Sequence, residues 1–399
     1  MKPAASHPLV RLLRRRRLNV VGVNSGTSID GLDLALVQIT EDDPHPTVRY
    51  VNAWHRHYPL RLRESLMSLA ASPAIDREAA ARAHFALGEF IASCVLMIKN
   101  SARSARIDLI GSHGQTIGHF PLGRGIGFGR GRATWQMGAP SVIAHRTGVV
   151  TVGDFRAADI AAGGMGAPLS GYYHHILFGE GAVVLNLGGI ANVSVSRRRR
   201  GRLEILAFDI GPGNMMLDGL ARLLLGSSHD HNGHAASRGR PMARILETAL
   251  ADGYFRRPPP KTCGREEFGE ATLQRWFFRG SRPLAGAADL LATATEITAV
   301  SIARAVEPWI APMTLSRRLI VAGGGAQNPT LVRRLGAHLP GWSIGSRTDR
   351  GIHPQCVEPV GFALLAYETL RGRAGNLGGA TGAHEAAVLG VIALPGPTS

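Results

Sequence analysis

The chain has 399 residues, 45% of them apolar and 19% charged, which is the balance of a soluble globular protein with room for two ordinary domains. No apolar run looks long enough to cross a bilayer, and three widely spaced cysteines (Cys94, Cys263 and Cys356) argue against a disulfide framework and for a reducing cytoplasm. The formal net charge is +16, but much of the excess sits in two runs, the arginines at 14–17 and those at 197–200 with Arg202; no aromatics interleave with them and no zinc-finger or RNP signature is present, so solvated surface charge is expected and a nucleic-acid partner is not.

In chain order, residues 1–17 read as a flexible basic extension, because the apolar run after the arginines is too short for a signal peptide. Strand 19–23 runs into Asn24-Ser25-Gly26-Thr27-Ser28-Ile29-Asp30-Gly31-Leu32-Asp33, and a second apolar run, 34–39, follows. This predicts a β-hairpin with a tip of small residues, where backbone N–H groups and hydroxyls can approach an anion. A third strand is expected at 48–54. A helix over about 76–99 follows, with Ala83, Leu87, Phe90, Ile91, Cys94 and Leu96 near helical spacing. Strand 108–111 ends at Ser112-His113-Gly114-Gln115-Thr116, with His119 soon after; polar residues at a strand end face a crevice. A glycine-rich loop at 123–131, a strand at 133–137, a helix from Pro140 and a strand at 149–153 lead to Asp154, Arg156 and Asp159.

The second half repeats this theme. Strands are expected at 182–187, 191–196 and 204–210, with a glycine turn at Gly188-Gly189. Asp209 ends the third of these, directly before Gly211-Pro212-Gly213-Asn214, and either Asp209 or Asn214 could cap the helix that starts near Asn214. His229, Asp230, His231 and His234 lie in a polar loop without further ligands, so no metal site is expected there. Pro258-Pro259-Pro260 marks a loop. A helix over 289–310 precedes strand 318–322 and Gly323-Gly324-Gly325, and Asn328 before Pro329 predicts the next helix start. A final helix spans 359–371, just after Glu358. Three strand-to-glycine junctions in two similarly built halves point to a nucleotide clamped between two domains.

The motifs SGTSIDGLD, SHGQTIGH, GDFRAADIAAGG, LNLGGIANVS, FDIGPGNMMLD and VAGGGAQNP fall in the order and spacing of the anhydro-N-acetylmuramic acid kinases. From Asn19 to Leu394 the chain resembles that family, which belongs to the sugar kinase, actin and Hsp70 ATPase superfamily. The resemblance implies an α/β fold of two ribonuclease-H-like (actin-like ATPase) domains, 18–155 and 156–399, with the last residues packing back on the first. ATP would lie in the cleft with Mg²⁺ on its phosphates. Ser25, Gly26, Thr27, Ser28, Ile29, Asp30, Gly31, Leu32, Asp33, Gly211, Gly213, Asn214, Gly323, Gly324 and Gly325 would bind it. Asp209 would be the catalytic base, and His113, Gln115, Thr116, Arg156 and Glu358 would contact the sugar. Arg156 could bind a carboxylate of the substrate or pair with Asp154 or Asp159. The family activity hydrolyses the 1,6-anhydro bridge and phosphorylates O6, a cytoplasmic step in cell-wall sugar recycling, and a homodimer is implied.

The chain departs from the family at Asn24, where Met is usual, at Met165, where Gln is usual, and at Cys263, Pro359 and Gly361. Met165 and Cys263 each remove a polar group from an expected cleft loop. The rival readings are a kinase of the same fold for another amino sugar, and a non-catalytic nucleotide- or sugar-binding regulator.

Overall fold

Apolar residues crowd the stretch from Leu18 to Val23, and in a computed structural model describing residues 7–72, 74–101, 106–121, 123, 131–345 and 351–396 it forms a strand buried on both faces. This strand, β1 (Arg17–Asn24), turns back into β2 (Gly31–Thr40), which continues into β3 (Thr47–His57); both pairings are antiparallel. After the helices Leu60–Ala71 and Arg77–Ser101 come β4 (Leu109–Ser112), the ribbon of β5 (Gln115–Phe120) and β6 (Ala133–Met137), and β7 (Val150–Gly153). The second half opens with an antiparallel meander of β8 (Val183–Leu187), β9 (Ile190–Arg199) and β10 (Arg202–Pro212). A small ribbon, β11 (Phe278–Arg279) with β12 (Arg282–Pro283), precedes β13 (Arg318–Ala322), β14 (Ser343–Gly345) and β15 (Val391–Ala393).

The two sheets have one plan. The first runs β3-β2-β1-β4-β7, with β4 and β7 parallel to β1, and the second runs β10-β9-β8-β13-β14, with β13 and β14 parallel to β8. This is the ribonuclease-H-like arrangement that the resemblance implies, twice over. β15 is added antiparallel to β7 at the edge of the first sheet. The first strand of each meander, which lies in the middle of its sheet, carries an asparagine at its C-terminal end, Asn24 in β1 and Asn186 in β8, just before a glycine turn.

The helix Val357–Leu370 follows the second sheet in sequence but lies on the first. Gly22 and Gly111 are side by side in the β1–β4 register. A Cβ on Gly22 would stand 1.7 Å from the Pro359 carbonyl oxygen, and one on Gly111 would stand 2.2 Å from that of Phe362. Two paired glycines therefore let the helix backbone settle on the sheet, where Val360, Ala363, Leu364 and Tyr367 join a core with Val20, Leu109 and Val184. The opposite face of the sheet packs the two helices Leu60–Ala71 and Arg77–Ser101. A second core lies between the second sheet and the helices Ala287–Ala305 and Pro329–His338.

Three expectations need correction. Residues 8–17 are not a loose extension. Pro8–Leu13 is a short helix whose Leu12 is buried in the core beside Val357–Leu370. Arg15 pairs with buried Asp108, and Arg371 donates to the Leu13 carbonyl at 2.7 Å. These anchors lie about 90 and 360 positions away, so local periodicity could not announce them. Residues 1–6 lie outside the described residues, as does nearly all of the predicted loop at 123–131. The second correction concerns Arg77–Ser101, which by length and composition alone could cross a membrane. Its Ala83, Leu87, Ile91, Val95 and Ile98 are instead buried against the first sheet. Third, the helix Asn214–Leu225 takes Gly213 as its N-cap; neither Asp209 nor Asn214 caps it.

Candidate active site

The first hairpin tip presents backbone rather than side chains. Ile29 N–H returns to the Gly26 carbonyl at 3.3 Å, with Ile29 in the left-handed region at φ 52°. The N–H groups of Gly26, Thr27 and Ser28 donate to no acceptor among the described residues, leaving an open cradle. Most side chains near the tip are occupied. Ser25 Oγ is buried between the Tyr58 hydroxyl (2.6 Å) and Gln115 Oε1. Ser28 bonds Asp30 at 2.6 Å, and Asp33 bonds His55 at 2.8 Å. Ile29 and Leu32 point into the core, and Gly31 lies against the Arg56 carbonyl. Gln115, expected at the sugar, braces this tip instead: it holds Ser25 and reaches the Gly26 carbonyl at 3.4 Å.

The second hairpin tip is more closed than its glycines suggest. The N–H groups of Gly213, Asn214 and Met215 all bond back to the Gly188 and Gly189 carbonyls, at 2.8–3.1 Å. Those donors are therefore not free for a phosphate. Asn214 Nδ2 holds the Leu187 carbonyl at 3.0 Å. Gly323 (φ 79°) bonds Pro354 through its N–H, Gly325 packs on Leu187, and Gly324 faces Asn214, so the glycine triplet and the start of Asn214–Leu225 do lie together. The two tips touch: a Cβ on Gly189 would stand 1.9 Å from Thr27 Oγ1.

Two carboxylates stand where the sheets meet. Asp209 precedes a β-bulge in β10, where the register slips between Asp209 and Gly211. Its Oδ2 accepts from Thr262 Oγ1 at 2.6 Å and from Cys263 N–H at 3.1 Å, while no described residue donates to its Oδ1. Burial pushes this carboxyl up to about 6, against the pull of the Thr262 and Cys263 hydrogen bonds and the charge of Arg156. Cys263 serves Asp209 through its backbone, so the departure at that position leaves this contact intact. Glu358, in the first turn of Val357–Leu370, accepts from Asn24 Nδ2 at 3.0 Å and from Asn186 Nδ2 at 3.2 Å. One carboxylate thus joins the matching asparagines of the two sheets. Burial, reinforced by the charge of Asp33, pushes it up to about 7.

Arg156 lies between these groups. Its Nε donates to His113 Nε2 at 3.0 Å and its Nη1 to the Gly166 carbonyl at 3.1 Å. It pairs with neither of its sequence neighbours. Asp159 accepts from Gly166 N–H, Asn376 and Thr381, tying the loop around Met165 to the C-terminal segment, and Asp154 is exposed. His113 Nδ1–H donates to the Gly114 carbonyl at 2.9 Å, so both ring nitrogens are occupied and the ring is neutral; burial holds its pKa well below the usual value, with Arg156 adding to this. Thr116 sits on the β5–β6 ribbon and accepts from Gln136 at 3.2 Å. On the same ribbon His119 Nε2 and Gln136 Oε1 are buried without partners. Sequence reasoning did not single out Gln136, although the Thr134–Gln136 alternation in β6 carried a signal. It also missed Asn186, which the shared strand-end asparagine could have revealed. The histidine-rich loop is structural where it is buried: Asp230 accepts from the N–H groups of Ala235 and Ala236, capping His234–Arg238.

A family model described as anhydro-N-acetylmuramic acid kinase matches residues 18–395. The chain is 38% identical over 394 residues to the "Anhydro-N-acetylmuramic acid kinase" of Salinibacter ruber, covering 98% of this chain and 99% of that protein. It is 42% identical over 379 residues to that of Xanthomonas oryzae pv. oryzae, covering 93% and 96%. Among solved structures, xylulose kinase from Rhodospirillum rubrum is a distant likeness, 12% identical with a TM-score of 0.38 over 95% of this chain and 94% of that one. The matched span takes in both sheets, both hairpin tips, Asp209 and Glu358, and the chain belongs to the anhydro-N-acetylmuramic acid kinase family.

Proposed function

We propose that the chain uses ATP and water to convert 1,6-anhydro-N-acetylmuramic acid into N-acetylmuramic acid 6-phosphate and ADP, with Asp209 as the base. The observation that carries this reading is Asp209 itself: a buried carboxylate with one oxygen fixed by Thr262 and Cys263 and the other without a donor among the described residues, just before the bulge in β10. A fixed carboxylate with a pKa near 6 is largely unprotonated at neutral pH and still basic enough to take a proton from water. The three open N–H groups at Gly26, Thr27 and Ser28 suit a phosphate.

The sugar has no free 6-hydroxyl, so the two half-reactions are coupled. Water attacks the anomeric carbon and gives its proton to Asp209. The C1–O6 bond breaks with its electron pair passing to O6. O6 attacks the γ-phosphorus, the bond to the bridging oxygen breaks, and that pair leaves on ADP. Asp209 then returns its proton to solvent. Arg156 lies within reach of the charges of both Asp209 and Glu358; Arg156 and Glu358 would orient the sugar, with the unpartnered atoms of His119 and Gln136 available for its polar groups. Mg²⁺ would ride on the nucleotide phosphates and supply charge neutralisation there, with Asp30 or Asp33 at the first tip reaching its water.

Beside ATP and water, the partner this chemistry requires is the small-molecule sugar. Cys94, Cys263 and Cys356 are all unpaired, which suits a reducing cytoplasm, and the family resemblance suggests a homodimer. The test is product analysis with ATP and the anhydro sugar. The reading expects ADP and a sugar phosphate heavier than the anhydro sugar by one water and one phosphoryl unit. ADP formation independent of the anhydro sugar, or preferential phosphorylation of another amino sugar, would overturn it.

A further inference from the structure

Neither hairpin tip carries a cation. The stretch from Asn24 to Asp33 holds two carboxylates and no lysine or arginine, and the stretches Gly188 to Asn192 and Gly211 to Met215 hold none either. Yet transfer of a phosphoryl group is largely a matter of positioning and neutralising charge. Two guanidiniums touch the first tip. Arg63 reaches the Ile29 carbonyl at 3.0 Å from Leu60–Ala71, a helix packed under the same sheet. Arg265 comes from the half of the chain that carries Asp209 and donates through Nη2 to the Thr27 carbonyl. Thr27 is the residue whose hydroxyl lies against Gly189 of the opposite tip, so Arg265 stands where the tips meet.

The surroundings of Arg265 are unusual for a half-buried cation. That single bond to Thr27 is its only side-chain hydrogen bond among the described residues, and no described carboxylate pairs with it. Burial lowers its pKa, and the nearby charge of Arg222 lowers it further. A desolvated guanidinium with most of its donors unused is costly unless an anion completes it. Of the other basic groups nearby, Arg222 is exposed and two more are committed elsewhere. Lys261 points at the Tyr254 ring, 4.7 Å from its centroid, and Arg156 is held by His113 and Gly166.

Arg265 is also mechanically joined to the base. Thr262 and Cys263 hold Asp209; Glu267 Oε2 then accepts from Gly264 N–H at 3.0 Å, turning the chain into the short helix Arg265–Phe268. One braced segment thus fixes the carboxylate and delivers the guanidinium three residues after Thr262. We propose that Arg265 is a catalytic residue that binds the phosphoryl group in transfer, with its free donors meeting the phosphoryl oxygens while the one to Thr27 holds the tip. No proton moves to or from it: the γ-phosphorus bond to O6 forms, the bond to the bridging oxygen breaks, and the electron pair leaves on ADP. The inference rests on the kinase reading above and deepens it.

The test compares wild type with Arg265→Ala and Arg265→Lys. Turnover is measured with ATP and anhydro sugar, and dissociation constants are measured for ADP and for ADP with aluminium fluoride, which mimics the phosphoryl group in flight. Arg265→Ala should lose roughly 10²–10⁴-fold in kcat, the scale for a lost transition-state donor or arginine finger. Its affinity for ADP should change less than about tenfold, while the tighter binding conferred by aluminium fluoride disappears. Free guanidinium should restore part of the turnover. Arg265→Lys keeps the charge without the fork and should fall between. A kcat within threefold of wild type in either variant would overturn the proposal. So would parallel losses of affinity for ADP and its fluoride complex, which would make Arg265 a fastener for the tip. If Arg265→Ala does not fold, Arg265→Lys decides by the same criteria. The kinase reading fails separately if wild type makes no sugar phosphate, and the two dissociation constants still judge Arg265 in that case.

Discussion

Replacing Asp209 by asparagine should cost activity and return stability. In the folded protein burial raises this carboxyl from the usual 3.8 to about 6. A shift of about two units corresponds to about 3 kcal/mol that the fold forgoes to hold the group ionised. The sign follows from the direction of the shift. With the folded pKa above the unfolded one, the favourable contribution is complete below about pH 4, is lost as pH rises through about 6, and stays lost above. In Asp209→Asn the amide oxygen can keep the Thr262 and Cys263 hydrogen bonds, and the amide nitrogen takes the place of Oδ1, which no described residue supplies with a donor. The variant does not titrate. Between pH 4 and pH 8 it should gain up to about 3 kcal/mol on wild type, read from urea or thermal unfolding of the two proteins side by side, where the other titrating groups cancel. Turnover should fall roughly a hundredfold or more, the scale of a general base. Parallel pH dependence in the two proteins would refute the buried, raised carboxylate. Near-normal turnover in the variant would refute its role as base.

The same group sets the acid limb of activity: kcat/KM should fall tenfold per pH unit below about 6, as Asp209 takes up its proton, and a profile flat to pH 5 would contradict it. Removing residues 1–16 should lower stability by about 2 kcal/mol or more, because it vacates the buried site of Leu12 and strips Arg15 from Asp108; kcat should hold, since this segment meets β1 at its Arg17 end, roughly 25 Å along the strand from Asn24. Equal melting of the truncated and full chains would count against that packing. Asn24→Leu leaves Glu358 with one amide donor where it had two and should cost about 1–2 kcal/mol at pH 8, where the carboxylate is ionised; an unchanged melting temperature would show that Asn186 alone suffices.

The parts of this fold that were legible in the sequence are those built from neighbours. The meanders announce themselves because apolar runs and glycine turns alternate within a few residues, and Asn328 with Pro329 marks a helix start through a purely local hydrogen bond. Asp209 stands out at the end of an apolar strand, but that position alone left it a candidate helix cap, and its reading as the base is implied by the family resemblance. What stayed hidden depends on distant partners. Gly213 and Asn214 look like open phosphate donors until the Gly188 and Gly189 carbonyls are seen to take them. Gln115 looks like a sugar ligand until Ser25 is found beside it, 90 positions away. Arg265 meets Thr27 across 238 positions, and nothing in its own neighbourhood announces that contact. Gly22 and Gly111 carry no signal singly; only the pairing of β1 with β4 shows that together they seat a helix.

The most direct measurement of the central claim is a reaction with ATP and anhydro sugar in ¹⁸O-labelled water, stopped early and analysed by mass spectrometry of the sugar phosphate and its fragments. If water attacks the anomeric carbon while O6 attacks phosphorus, the label enters the anomeric hydroxyl and none enters the phosphoryl group. Label in the phosphoryl group of the sugar phosphate would contradict the coupled reaction, whichever residue serves as the base.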